Sequence, residues 1–179
     1  MQKGSTLQGS QAMAETLARL AEAIAQRHGD CTDVALVGIQ RRGVDIANRL
    51  VGLLQETLGC SIACGVLDIT LYRDDWTTLS AKPSVRTTHI PFSIDRKKLI
   101  LVDDVLFTGR TIRAALEALV DFGRPAKVEL LVLVDRGFRE LPIHADYVGL
   151  TVETARTDRV DVLLTERDQK DEIRLVSAE

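Results

Sequence analysis

Residues 99–111 read LILVDDVLFTGRT: four apolar residues, two adjacent aspartates, then a run holding one glycine and two threonines. A continuous apolar stretch of this kind reads as a strand buried on both faces, as in parallel sheets. Such sheets open their ligand crevice at the carboxyl ends of the strands. Asp103 and Asp104 are therefore expected at a mouth, hydrated or ligand-bound, because burial within the strand would be costly. Leu106 to Thr111 then turn into a helix, expected over 111–122, whose first amides lack intrahelical partners and suit an anion. Thr108 and Thr111 add hydroxyl donors, Gly109 allows close backbone approach, and Arg110 adds positive charge. The carboxylates supply acceptors for vicinal hydroxyls. A sugar phosphate meets both demands, whereas a capped helix behind a strand would explain Asp104 alone.

The rest of the chain alternates in the same style. Met13, Leu17, Leu20, Ala21 and Ile24 recur at helical spacing over 10–28, and Gly29 suits a stop. VALVGI at 34–39 is a strand, followed by QRRG and a helix over 44–58 ending at Gly59. Further strands are expected at 61–70, 98–102 and 127–134, with a short fifth at Tyr147 and Val148. Residues 159–165 and 172–176, flanking ERDQKD, read as an antiparallel hairpin. Between them, LYRDDWTTLSAKPSVRTTHIPFSIDRK has weak periodicity and two prolines, Pro83 and Pro91, so 71–90 is expected to be a lid. The pattern predicts one α/β domain over 10–179, a mostly parallel sheet with helices on both faces and a small hairpin, behind a loose polar tail at 1–9.

A chain of 179 residues suits one domain with a full core. Apolar residues make up 45% and charged residues 27%, which excludes a wholly disordered or collagen-like chain. The net charge of −3 gives no overall attraction to nucleic acid or membrane. Three cysteines, Cys31, Cys60 and Cys64, show no zinc spacing, and on an extended 60–64 the last two share one face as packing thiols. No signal-peptide core stands at the N-terminus, and no apolar run approaches the roughly 20 residues of a membrane span. A cytoplasmic protein is expected. His28, His89 and His144 form no recognisable catalytic set.

Neither GxxxxGK[ST] nor GxGxxG occurs. The apolar strand, acidic pair and Thr-Gly-x-Thr loop instead resemble the 5-phosphoribosyl-1-pyrophosphate (PRPP) motif of the type I phosphoribosyltransferases. LDITLYRDD at 67–75, HIPFSI at 89–94 and VDRGFRELPIHADYVG at 134–149 narrow the likeness to the bifunctional pyrimidine-operon attenuation regulators with uracil phosphoribosyltransferase activity. That resemblance implies the type I phosphoribosyltransferase fold, a homodimer or higher homo-oligomer, and conversion of uracil and PRPP to UMP and pyrophosphate. It implies Mg²⁺, carried mainly by PRPP, with no direct metal ligand assigned. It makes Asp103, Asp104 and Arg73 the catalytic candidates. Asp103 and Asp104 would hold the ribose hydroxyls, and Val105, Leu106, Phe107, Thr108, Gly109, Arg110 and Thr111 the 5-phosphate region. Arg41, Arg42 and Gly43 would meet the pyrophosphate, Gly43 through an unusual backbone, and Arg73 and Arg86 would close over it. Asp135 and Arg136 would lie at the uracil, with Val160 as an apolar contact.

The resemblance also implies binding of pyrimidine-operon leader mRNA when a uridine nucleotide is bound. Phe138, His144 and Leu150 depart from it, standing where the regulators carry polar or basic groups, and so does Glu22, where they favour histidine. Arg19, Lys127 and Arg139 remain as candidate RNA contacts. The alternatives are a nucleotide-sensing RNA-binding regulator with vestigial catalysis, or an enzyme that has lost RNA binding.

Overall fold

The structure is a computed structural model that describes residues 4–59, 61–72 and 87–177. In chain order the elements are β1 (Gly4–Gln8), α1 (Ser10–His28), β2 (Val34–Ile39), α2 (Arg42–Leu58), β3 (Ala63–Leu67), β4 (Lys98–Leu106), α3 (Arg110–Val120), β5 (Lys127–Asp135), β6 (Tyr147–Thr151), β7 (Arg159–Leu163), the single turn α4 (Thr165–Asp168) and β8 (Glu172–Val176). Five strands form a parallel sheet in the order β3-β2-β4-β5-β6, and three form an antiparallel sheet in the order β1-β8-β7.

Both faces of the parallel sheet are covered, which is why its strands read as unbroken apolar runs rather than alternating ones. All six residues of β2 are buried. On one face Met13, Leu17, Leu20 and Ile24 of α1 and Ile46, Leu50 and Leu54 of α2 pack against Leu36, Ile100, Val102 and Leu131. On the other, Ile112, Ala115 and Leu119 of α3 pack against Val37, Leu99, Leu101 and Val132. Each large aliphatic side chain taken fully from water contributes about 1.5–3 kcal/mol, so the two layers account for the main drive to fold. Gly29 and Gly59 close α1 and α2 at positive φ, as the sequence led one to expect.

Several boundaries differ from the sequence reading. The polar N-terminal stretch is not loose from Gly4 onward: it forms β1, pairs antiparallel with β8 and sends Leu7 against the first core layer. Its residues are mostly exposed because it is an edge strand, and that exposure made it look like a tail. The hairpin is present as β7 and β8 in register Val160↔Leu175 and Val162↔Ile173, and part of ERDQKD is the helical turn α4. β3 is shorter than expected, α2 begins at Arg42 and α3 at Arg110, and β4 and β5 continue to Leu106 and Asp135. Of the expected lid, residues 73–86 lie outside the described residues. Past it, His89 exchanges backbone hydrogen bonds with Val66, both 2.8 Å. Cys31 is buried and Cys64 half-buried, both as free thiols, while Cys60 lies outside the described residues.

At the opposite end of the sheet from the crevice, Glu129, near the start of β5, is buried. His28 and Tyr147 lie 2.8 and 2.9 Å from its carboxylate, and Lys127 closes on it at 2.7 Å. Burial pushes this carboxyl up, but the hydrogen bonds from Lys127, His28 and Tyr147 outweigh it and hold the pKa at about 2. His28 is thus committed to a structural cluster, in line with the absence of a catalytic histidine set.

Candidate active site

The strand order reverses between β2 and β4, so the loops leaving their carboxyl ends part in opposite directions and open a crevice. The loop after β2 is Gln40–Arg41, joined by a cis peptide bond; the loop after β4 is Phe107–Gly109. Two glycines bring the elements together here. A Cβ on Gly43 would stand 2.3 Å from the carbonyl oxygen of Val102 and 3.2 Å from Asp103 Cα, and one on Gly38 would stand 2.5 Å from Val44 Cα. Gly43 lies within α2 and has no positive φ; the unusual backbone of the 40–43 segment is the cis Gln40–Arg41 bond. Glycine is needed because the first turn of α2 rests on the backbone of β4 where the acidic pair begins.

Asp103 is only 6% exposed and Asp104 half-buried, so of the two expected states, hydrated or ligand-bound, Asp103 is not the hydrated one. The strand does not end before the pair: Asp103, Val105 and Leu106 remain in register with Val132, Val134 and Asp135 of β5. Asp103 accepts the Asp104 amide at 3.0 Å, and Asp104 accepts the Val105 amide at 2.9 Å. Burial, and then the charge of Asp104, push the Asp103 carboxyl well above the usual carboxylate range. Asp104 is also raised by burial, less so because of its hydrogen bonds with Asp103 and Val105 and the positive charge of Arg42. Buried carboxyls poised at a crevice mouth mark a functional site more often than a structural one.

The loop after β4 has its carbonyls turned one way. Leu106 O accepts the Arg136 amide at 3.1 Å, Phe107 O accepts Arg139 Nη1 at 2.7 Å, and Thr108 O accepts the amides of Glu140 and Leu141 at 3.0 and 3.3 Å. In a planar trans peptide the N–H points opposite to the C=O. The amides of Phe107, Thr108 and Gly109 are therefore turned away from 136–141, in front of the amino end of α3. Gly109, at φ +94°, makes the bend into that helix. Three successive amides at a helix N-terminus form a concavity for an anion.

The other candidates are placed as follows. Arg41 is exposed beside the cradle, and Arg42 is held by Asp168 of α4 at 3.0 Å with its Nε buried and unpaired among the described residues. Arg49 bridges Glu166 and Asp171, and Arg167 pairs with Asp45, so the α4 turn is pinned to α2. Arg110 is half-exposed and pairs with Glu140 at 2.9 Å, and Thr111 follows it in the first turn of α3. Asp135 and Arg136 lie at the end of β5, lining with Phe138, Arg139, Thr151 and Val152 a cavity of about 400 Å³. Arg136 is 6% exposed, stacks 4.0 Å over the Phe107 ring and donates to the carbonyls of Ala155 and Arg156. Val160 is 7% exposed and belongs to the first core layer, so it is chiefly a packing residue. Arg73 and Arg86 lie outside the described residues.

Sequence reading missed Asp168 and Glu140, whose roles depend on contacts over 126 and 30 residues of chain. It also placed Arg19, Lys127 and Arg139 on an RNA-facing surface. Of these candidate RNA contacts, Arg19 and Lys127 are exposed, donating to Gly149 O and pairing with Glu129 respectively, whereas Arg139 is turned inward on the loop after β4.

Among the described residues no group of three or more His, Cys, Asp or Glu side chains could hold a metal ion by itself. The adjacent Asp103 and Asp104 fit the other arrangement, in which Mg²⁺ is held mainly by substrate phosphates with one or two carboxylates nearby.

Residues 4–167 match the phosphoribosyl transferase domain, a class in keeping with a parallel sheet that sets an acidic pair and a loop leading into a helix N-terminus at its switch point. The fold is also that of hypoxanthine phosphoribosyltransferase from Trypanosoma cruzi, with a TM-score of 0.73 at 17% identity over 98% of this chain and 97% of that one. The hypoxanthine-guanine enzyme from Leishmania tarentolae, solved with GMP, gives 0.72 at 17% over 98% and 97%. Much nearer in sequence are the bifunctional PyrR proteins of Desulfosudis oleivorans, 53% identical over 97% of this chain and 96% of the relative, and of Caldicellulosiruptor bescii, 47% over 97% and 95%. The chain belongs to the phosphoribosyltransferase family, and within it to the bifunctional PyrR proteins.

The acidic pair generates a stability prediction. A carboxyl whose folded pKa exceeds its unfolded value contributes fully below the unfolded value and loses that contribution as pH rises through the folded one. Ionised Asp103 is thus a cost at pH 7. Asp103→Asn is expected to raise the unfolding midpoint of the ligand-free protein at pH 7 by about 2–4 °C, the shift that ~1 kcal/mol gives in a domain of this size. The gain should shrink toward pH 4, as followed by circular dichroism; an equal or lower midpoint at pH 7 would contradict the assigned burial cost.

Proposed function

We propose that the protein converts uracil and PRPP to UMP and pyrophosphate, and that it regulates pyrimidine operons by binding leader mRNA when UMP is bound. The observation that carries the catalytic half is the adjacency, over one short stretch, of a buried acidic pair and three outward-turned amides beside a 400 Å³ cavity. The amides of Phe107, Thr108 and Gly109, with Arg110 and Thr111, take the 5-phosphate. Asp103 and Asp104 accept the ribose 2- and 3-hydroxyls. Arg41 and the 40–43 backbone face the pyrophosphate, over which Arg73 and Arg86 close. Arg42, held by Asp168, acts on Asp104 through its charge.

The base lies in the cavity at the ends of β5 and β6. Arg136 Nε and Thr154 Oγ1 are buried there without partners among the described residues, and such atoms call for a ligand or water. A pyrimidine with alternating carbonyl and N–H groups supplies complementary partners, and Phe107, already faced by Arg136, walls the site. Mg²⁺ bound to the pyrophosphate supplies charge neutralisation for the leaving group. The chain's own residues orient the ribose and the base for attack at the anomeric carbon. They place positive charge where the pyrophosphate departs and exclude water that would otherwise capture an oxocarbenium-like centre. No protein nucleophile takes part.

The regulatory half rests on membership among the bifunctional PyrR proteins, 53% identical over nearly the whole length. The exposed face of the 136–143 loop carries Phe138, 38% exposed, with Arg110 and Arg156 nearby through Glu140. No helix is long and apolar enough to cross a membrane among the described residues, and a cytoplasmic homo-oligomer acting on leader mRNA fits this reading.

Pyrophosphate release from PRPP and Mg²⁺ is expected with uracil and at background with hypoxanthine, adenine and orotate. Release with a purine alone would reassign the substrate, and no release with uracil would refute the activity. For the second half, a pyrimidine-operon leader RNA titrated by filter binding should bind more tightly with UMP and weaken steeply as salt rises. Affinity indifferent to UMP would contradict the regulatory role.

A further inference from the structure

We infer that Arg139 is the positioning residue that holds the phosphate cradle open and couples it to the base-facing loop. The inference rests on the phosphoribosyltransferase reading above. Arg139 is 17% exposed, and its guanidinium is spread over both loops at once. Nη1 donates to Phe107 O at 2.7 Å, to Leu106 O at 3.5 Å and to Gly137 O at 3.0 Å, while Nε donates to Ile143 O at 3.1 Å. Nη2 pairs with Asp135, which also accepts the Gly137 amide at 2.9 Å.

Two of those carbonyls are the ones whose orientation turns the amides of Phe107 and Thr108 outward. Leu106 O keeps the Arg136 amide in any case, but without Arg139 the Phe107 carbonyl would lose its donor in a half-buried pocket, and a flip of the 107–108 peptide toward solvent would close the cradle. The same side chain reaches Asp135 at the cavity that takes the base. It also braces a loop in which Gly137 and Phe138 follow one another at φ +75° and +59°, a bend that needs support because Phe138 is not glycine. One guanidinium thereby fixes the separation between the anion-binding and base-binding parts of the site. Arg110 is a contrast: 56% exposed and paired with Glu140 on the surface, it is worth little as a fixed point.

The forked donor geometry is the essential property, since lysine offers a single mobile ammonium and cannot span the same acceptors. The prediction concerns the 5-phosphate in particular, so the readout is the ratio of UMP to uridine affinity by calorimetry in wild type, Arg139→Gln and Arg139→Lys, with unfolding midpoints recorded alongside. Wild type is expected to favour UMP, and both variants are expected to lose that preference by about tenfold or more. If Arg139→Gln does not fold, the ratio in Arg139→Lys decides the matter. A ratio equal to wild type in a folded variant, even one with a lowered midpoint, would overturn the positioning role while leaving the activity assignment intact. Full retention by Arg139→Lys would overturn it equally, because charge alone would then suffice. A wild type that does not distinguish UMP from uridine would overturn both the inference and the proposed activity.

Discussion

Peptide units are rigid, so turning a carbonyl one way turns the next amide the other. Behind Phe107–Gly109, the loop 136–141 supplies donors to three successive carbonyls, and everything at the front of the site depends on those bonds. On the proposed reading, a phosphate would be met less by exposed arginines than by backbone dipoles held in place by a second loop. The cost is that the cradle has no independent existence. It is only as well formed as β5 and the segment that follows it.

The acidic pair shows the opposite balance. β4 runs on past the point where a hydrated carboxylate would have been comfortable, and Gly43 lets α2 press onto the same backbone, so Asp103 is buried before any ligand arrives. Burial raises its pKa, and ionisation at neutral pH is a standing destabilisation that, on the proposed reading, a ribose hydroxyl or nearby cation would relieve. Stability elsewhere offsets it. The two apolar layers on the sheet and the Glu129 cluster at its far end are free of such conflict.

Much of this was legible in the sequence, for identifiable reasons. Continuous apolar runs gave the strands, 3.6-residue spacing gave α1 down to its five apolar contacts, and LILVDDVLFTGRT carried the likeness to the phosphoribosyltransferases that the match over residues 4–167 bears out. What was not legible depended on partners distant in the chain. β1 looks like a tail until β8 lies beside it, and Asp103 looks hydrated until β4 continues past it in register with β5. Gly43 reads as a seat for unusual backbone until the Val102 carbonyl is found where its side chain would stand, and Arg139 reads as a surface cation until the carbonyls it satisfies are known. Composition and periodicity report a residue's own preferences, and these four are defined by what faces them.

The central claim is that the backbone amides of Phe107, Thr108 and Gly109 bind the 5-phosphate of a ribonucleotide. Amide-resolved NMR on the ¹⁵N-labelled protein titrated with UMP, and separately with uridine, reads those three N–H groups directly. Large downfield shifts confined to 107–109 and the first turn of α3, present with UMP and absent with uridine, are predicted. Equal shifts with uridine, or UMP-dependent shifts elsewhere that leave 107–109 unmoved, would contradict the account.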